Sequence, residues 1–183
     1  MDKIEEIKNY AIKAFIEADL EWYIESHLKL VETYTLSLIN SYPDVDKDSL
    51  LLAVWLHDTE YLKTVDKSNH EQDGCDEAEL IMKKFDWDQK DINKVKDIII
   101  THSCKDNMPE TIEQKILSTA DAMSHFNKDF YLNIAVLGQR NKEEFVKWAS
   151  TKLEKDYQEK IFFPEALEEI KPQYKIIKNF LES

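Results

Sequence analysis

The stretch Leu51-Leu52-Ala53-Val54-Trp55-Leu56-His57-Asp58 decides how the rest of the chain is read. Its apolar run reads as a buried helix whose C-terminal end opens into a pocket, with Asp48 or Ser49 as the candidate cap at its start. The run ends in two adjacent side chains that both bind metal well. A neutral imidazole and a carboxylate suit divalent cations such as iron, manganese, cobalt, nickel or zinc. A single His-Asp pair at a helix end is ordinarily just a solvated terminus. The placement of the other histidines, and of one more aspartate, changes that reading.

The surrounding chain is helical in pattern. Two glycines and four prolines in 183 residues leave little material for hairpins. Apolar residues recur mainly at intervals of three and four, which predicts an all-α fold. We expect a single domain over 1–183, with its core in 20–127 and a C-terminal helical scaffold in 128–183. The net charge of −13, with Arg140 as the lone arginine, supplies no basic stripe and argues against a nucleic-acid polymer as partner. Cys75 and Cys104 form neither a CxxC spacing nor a disulfide framework, which suits a reducing compartment. Met1-Asp2-Lys3-Ile4-Glu5-Glu6 lacks the basic and apolar blocks of a signal peptide, and no stretch approaches a membrane span. A soluble, cytoplasmic protein is expected. Its oligomeric state is not encoded in any pattern we recognise.

Taken outward from the central run, a helix over about Asp2 to Ala18 is predicted, then one over Glu21 to Asn40 carrying His27 on its apolar stripe. A histidine in such a stripe is usually bonded to a carbonyl in the core. A charged loop, Thr59 to Asn69, leads to a helix in which His70, Gly74 and Ala78 fall on one face. Small residues beneath a histidine let its helix approach a shared centre, although a capping role for Asn69 or Asp73 competes. Ile92, Val95, Ile99 and His102 place His102 on the buried face of a helix over Asp91 to Ser103. In the helix over Thr111 to Asn127, Asp121 sits among apolar and small residues, a costly position unless it is paired or metal-bound. Beyond Phe130 the pattern is scaffold, with stripes at Phe145, Trp148, Ala149 and at Ile176, Ile177, Phe180, and breaks or kinks at Pro164 and Pro172. Nothing there reads as chemistry beyond a wall for a substrate pocket.

The ordered set His27, His57-Asp58, His70, His102, Asp121 resembles the HD superfamily of metal-dependent phosphohydrolases. The supporting phrases are Leu56-His57-Asp58, His70 with Gly74 and Ala78, Ile99-Ile100-Thr101-His102 and Ala120-Asp121-Ala122. The resemblance implies a minimal site of His27, His57, Asp58 and Asp121, with His70 and His102 adding a second metal position and Asp58 bridging. Two divalent ions are then expected, drawn from iron, manganese, cobalt, nickel, zinc or magnesium, together with a small phosphorylated substrate, plausibly a nucleotide. Such ions turn a bound water into a hydroxide nucleophile at neutral pH. Asp58 would orient it. Lys63, Lys67 and Lys105 are candidates for phosphate contacts, and His125, one turn beyond Asp121, for a supporting group or proton donor. Thr59-Glu60-Tyr61 offers only Glu60 where guanosine-tetraphosphate hydrolases of this superfamily carry an acidic pair. A di-iron oxygenase or a non-catalytic sensor built on the same ligands stays open.

Overall fold

The computed structural model describes residues 3–62, 70–138 and 140–182, and among them it is all-α. Helix α1 (Lys3–Glu17) is followed by a continuous rod made of α2 (Glu21–Tyr23), a π-helical turn (Ile24–Leu28) and α3 (Lys29–Ile39). Then come α4 (Lys47–Leu56), a 3-10 turn (Thr59–Leu62), α5 (His70–Lys84), α6 (Gln89–Ile99) and α7 (Ile112–Ser124). The chain closes with α8 (Lys128–Leu137), α9 (Lys142–Glu159) and α10 (Pro164–Leu181). No described helix is long and apolar enough to cross a membrane.

Helix α4 is the centre. Leu50, Leu52, Ala53, Val54, Trp55 and Leu56 are all buried, because α1, α3, α5, α6 and α7 pack around it. A helix apolar on every side is stable only in such a place. Its cap is Asp46, whose carboxylate accepts from the Ser49 N–H at 3.2 Å; the expected caps Asp48 and Ser49 lie inside the helix instead. The close approach of α5 depends on Gly74. A Cβ there would lie 2.8 Å from the His57 carbonyl oxygen, so only a bare Cα fits.

At two helix ends aspartate takes a task usual for glycine. Asp19 (φ 57°) and Asp86 (φ 53°) adopt the left-handed conformation just past α1 and α5. The Leu20 N–H then closes onto Phe15 O at 2.9 Å, and the Trp87 N–H onto Met82 O at 3.1 Å. These are Schellman ends, and Asp tolerates them better than most residues.

Two boundaries and one buried face differ from the expectation. α6 ends at Ile99, so His102 lies in the turn beyond it and not within the helix. Pro172 sits inside α10 without ending it, while Pro164 occupies its first turn, where a missing N–H costs nothing. Of the stripe Ile176, Ile177, Phe180, only Ile177 is buried; the other two face outward.

Candidate metal centre

Four elements deliver imidazoles to one point, and each does so by tying down the far ring nitrogen. His57 is the C-cap of α4, and its Nδ1 donates to the Val54 carbonyl at 2.9 Å. His102 repeats the device past α6, donating from Nδ1 to Ile99 O at 2.7 Å. Both bonds use carbonyls at a helix C-terminus that have no partner in the helix itself. His27 sits in the π-helical turn, a feature often found where a helix must present a functional side chain. Its Nδ1 donates to Ser124 Oγ at 2.7 Å, because that hydroxyl is itself donating to Asp121 O at 2.7 Å. His70 Nδ1 donates to Glu60 Oε1 at 2.5 Å.

In every case the partner can only accept, or is already donating elsewhere. The proton is therefore on Nδ1, and Nε2 is left with its lone pair. The Nε2 atoms of His27 and His57 lie 3.3 Å apart, and those of His70 and His102 lie 3.1 Å apart. Lone pairs at such separations repel unless a cation or a proton lies between them.

Asp58 stands between the two pairs. Its Oδ2 is 3.2 Å from His27 Nε2 and 3.1 Å from His57 Nε2, whereas its Oδ1 is 3.5 Å from His70 Nε2 and 3.8 Å from His102 Nε2. Asp121 Oδ1 closes the first group, 3.5 Å from His27 Nε2 and 3.8 Å from His57 Nε2. Ligand atoms about 2.1 Å from one ion at tetrahedral angles sit roughly 3.4 Å from each other. The groups His27–His57–Asp121 and Asp58–His70–His102 both have donor spacings that fit a divalent ion.

The charges agree with this geometry. Burial opposes ionisation of Asp58, but His57, His27 and His70 outweigh it and hold the carboxyl well below the usual range. Asp121 is held down in the same way, against its burial, by Lys160, His125, His57 and His27. Burial pushes His102 down to about 3 and also lowers His27. Burial would lower His57 too, yet Asp58 and Asp121 raise it well above the ordinary value.

The HD domain family model matches residues 24–125. The chain belongs to the HD domain family. Most members of that family are metal-dependent hydrolases. No curated protein and no solved structure matches the chain.

The six residues expected at the HD metal centre lie together in one cluster, and of them only His70 is less than fully buried. The other candidates fare unevenly. Lys63 and Lys67 lie outside the described residues. Lys105 is exposed, pairs with Asp106 at 3.7 Å and does not line the cavity, so its expected phosphate contact has no geometric support. His125 does arrive, with Nδ1 on Asp156 Oδ2 at 3.0 Å and Nε2 3.6 Å from Asp121 Oδ1. Burial and then Lys152 push its pKa down to about 4.

The sequence reading assigned no chemistry beyond the HD match, and here it missed most. Lys160, just past α9, is buried and hydrogen-bonded to Asp121 Oδ2. Asp156 is buried between His125, Lys152 at 3.1 Å and Lys160 at 3.9 Å. The i, i+4, i+8 spacing of Lys152, Asp156 and Lys160 was a signal, hidden in a helix full of solvated charge. Tyr23 was missed as well; its hydroxyl donates to Asp58 Oδ2.

The candidate metal centre contributes Asp58, His70, His102 and Asp121 to the lining of a cavity of ≈ 670 Å³. That volume suits a small organic ligand.

Proposed function

We propose that the protein is a metal-dependent phosphohydrolase acting on a small phosphate ester, with His27, His57, Asp58, His70, His102 and Asp121 holding two divalent ions. The observation that carries the reading is Asp58, whose two oxygens each face a different pair of imidazole lone pairs. A carboxylate so placed is suited to bridge two ions, whereas one ion would use only half of it. When bound, such a pair acidifies a water into the nucleophile and polarises the phosphoryl oxygens.

The chain's own residues do the rest. Tyr23 and the two neighbouring imidazoles fix the angle of the Asp58 carboxylate. Lys160 occupies Asp121 Oδ2, which leaves Oδ1 for the centre. Asp156 orients His125 so that its Nε2 can take a proton released next to Asp121. Burial of the ligands excludes bulk water and strengthens each of these interactions.

The test is metal analysis combined with phosphate release from a panel of phosphorylated metabolites under argon. Release that depends on added divalent cation supports hydrolysis. Oxygen uptake with substrate cleavage only in air would replace it with an oxygenase using the same ligands. A metal-loaded protein that turns nothing over would leave a sensor.

A further inference from the structure

The cavity has a further wall, and its chemistry differs from that of the metal centre. Trp148, Thr151, Lys152, Lys155 and Asp156 follow one another along a single face of α9, and all line the cavity. Arg140, just before α9, lies over the Trp148 ring at 4.9 Å and lines it too. Lys152 and Lys160 are spoken for by Asp156 and Asp121. Lys155 and Arg140 are not: among the described residues neither forms an ion pair, although 37 acidic residues face 24 basic ones in the sequence. Lys155 reaches only a neutral acceptor, the Ser103 carbonyl at 3.3 Å, one residue past His102.

In so acidic a chain, two cations that face a ligand-sized cavity without a carboxylate between them are unusual. Asp156, the carboxylate next to Lys155 in sequence, is already paired with His125 and Lys152. At 1.5 Å of rise per residue, Lys155 and Trp148 lie about 10 Å apart along α9. The cations thus begin beside the metal centre and extend toward the Trp148 end. All of them lie outside the matched residues 24–125, so the family pattern does not account for them.

We propose that this wall recognises a second anionic group on the substrate, separated from the metal-facing phosphoryl group by a short apolar body. Lys155 and Arg140 contact that anion, and Trp148 packs against the body between. The ligand class is a phosphate ester carrying a further carboxylate or phosphate. This proposal rests on the metal-centre reading above only for the position of the first phosphoryl group.

Binding, not turnover, tests it. Metal-loaded protein is titrated in a calorimeter with hexylphosphonate, 6-phosphonohexanoate and 1,6-hexanediylbisphosphonate, none of which can be hydrolysed. The second anion should tighten binding by about tenfold, the equivalent of roughly 1.4 kcal/mol. The stronger of the two dianionic probes identifies carboxylate or phosphate. Arg140→Ala, at an exposed position, and Lys155→Met, which keeps the apolar stem, should each bring the ratio toward one. Lys13→Ala, on the far surface of α1, should leave it alone. Equal affinities for all three probes, or no binding of any, would overturn the second-anion site. If the preference is present but no phosphate ester is turned over, the site stands and the hydrolase reading falls. Turnover with equal affinities gives the reverse.

Discussion

Two buried polar clusters share the Asp121 carboxylate, and they differ in what balances their charge. Around Asp121 Oδ2, Lys160, Asp156, Lys152 and His125 form a set in which fixed ammonium groups answer each carboxylate. On the Oδ1 side stand His27 and His57, with Asp58, His70 and His102 beyond them, and among the described residues no lysine or arginine is ion-paired within this group. The first cluster is complete as folded. The second is arranged for a cation that the chain does not itself supply. Buried charge without an internal partner is costly, so a protein keeps such an arrangement where a ligand completes it.

The most damaging change to the open cluster is Asp58→Ala. It removes the carboxylate shared by both imidazole pairs, and it should abolish turnover and strip most of the metal while leaving the helical circular dichroism intact. A variant with near-native turnover would show that the chemistry lies elsewhere.

Lys160→Met sharpens the contrast from the closed side. It leaves Asp121 buried without its main cation and takes a second cation from Asp156, at a cost of about 3–5 kcal/mol in metal-free protein. Because an ion at Oδ1 replaces part of the missing charge, and binds only the folded state, added divalent cation should restore much of the melting temperature. A variant equally unstable with and without metal would separate the two clusters energetically.

Gly74→Ala is the mildest test. Its Cβ would meet the His57 carbonyl at 2.8 Å, so α5 must shift and carry His70 with it. We expect a loss of about 1–3 kcal/mol, as for other overpacked sites. Metal retention should weaken more at the His70–His102 pair than at the His27–His57 pair.

The same contrast explains what the sequence made legible. Histidines are rare here, five in the chain, and His57 and His102 stand at the ends of apolar runs where a polar residue is conspicuous. Asp121 stood out for the same reason, among Leu117, Ala120 and Ala122. Lys152, Asp156 and Lys160 did not, because α9 is rich in lysine and glutamate and its apolar spacing does not say which charges turn inward. Tyr23 and Glu60 were hidden differently. Their contacts with Asp58 and His70 depend on a π-helical turn and a 3-10 turn, and neither leaves a periodic signature. The all-α fold was legible from periodicity, and α1 ends within a residue of its expected bound, whereas α6 and α7 stop short of the expected Ser103 and Asn127.

The central claim, that Asp58 joins two metal positions, is tested most directly by metal content per chain in the double variant His70→Asn/His102→Asn. Both residues lie at or beyond helix ends, where a short polar replacement can be accommodated. The account predicts a fall from about two ions to about one, with His27, His57, Asp58 and Asp121 retaining the remaining ion. Unchanged stoichiometry, in a variant that still folds, would contradict it and return His70 and His102 to purely structural roles.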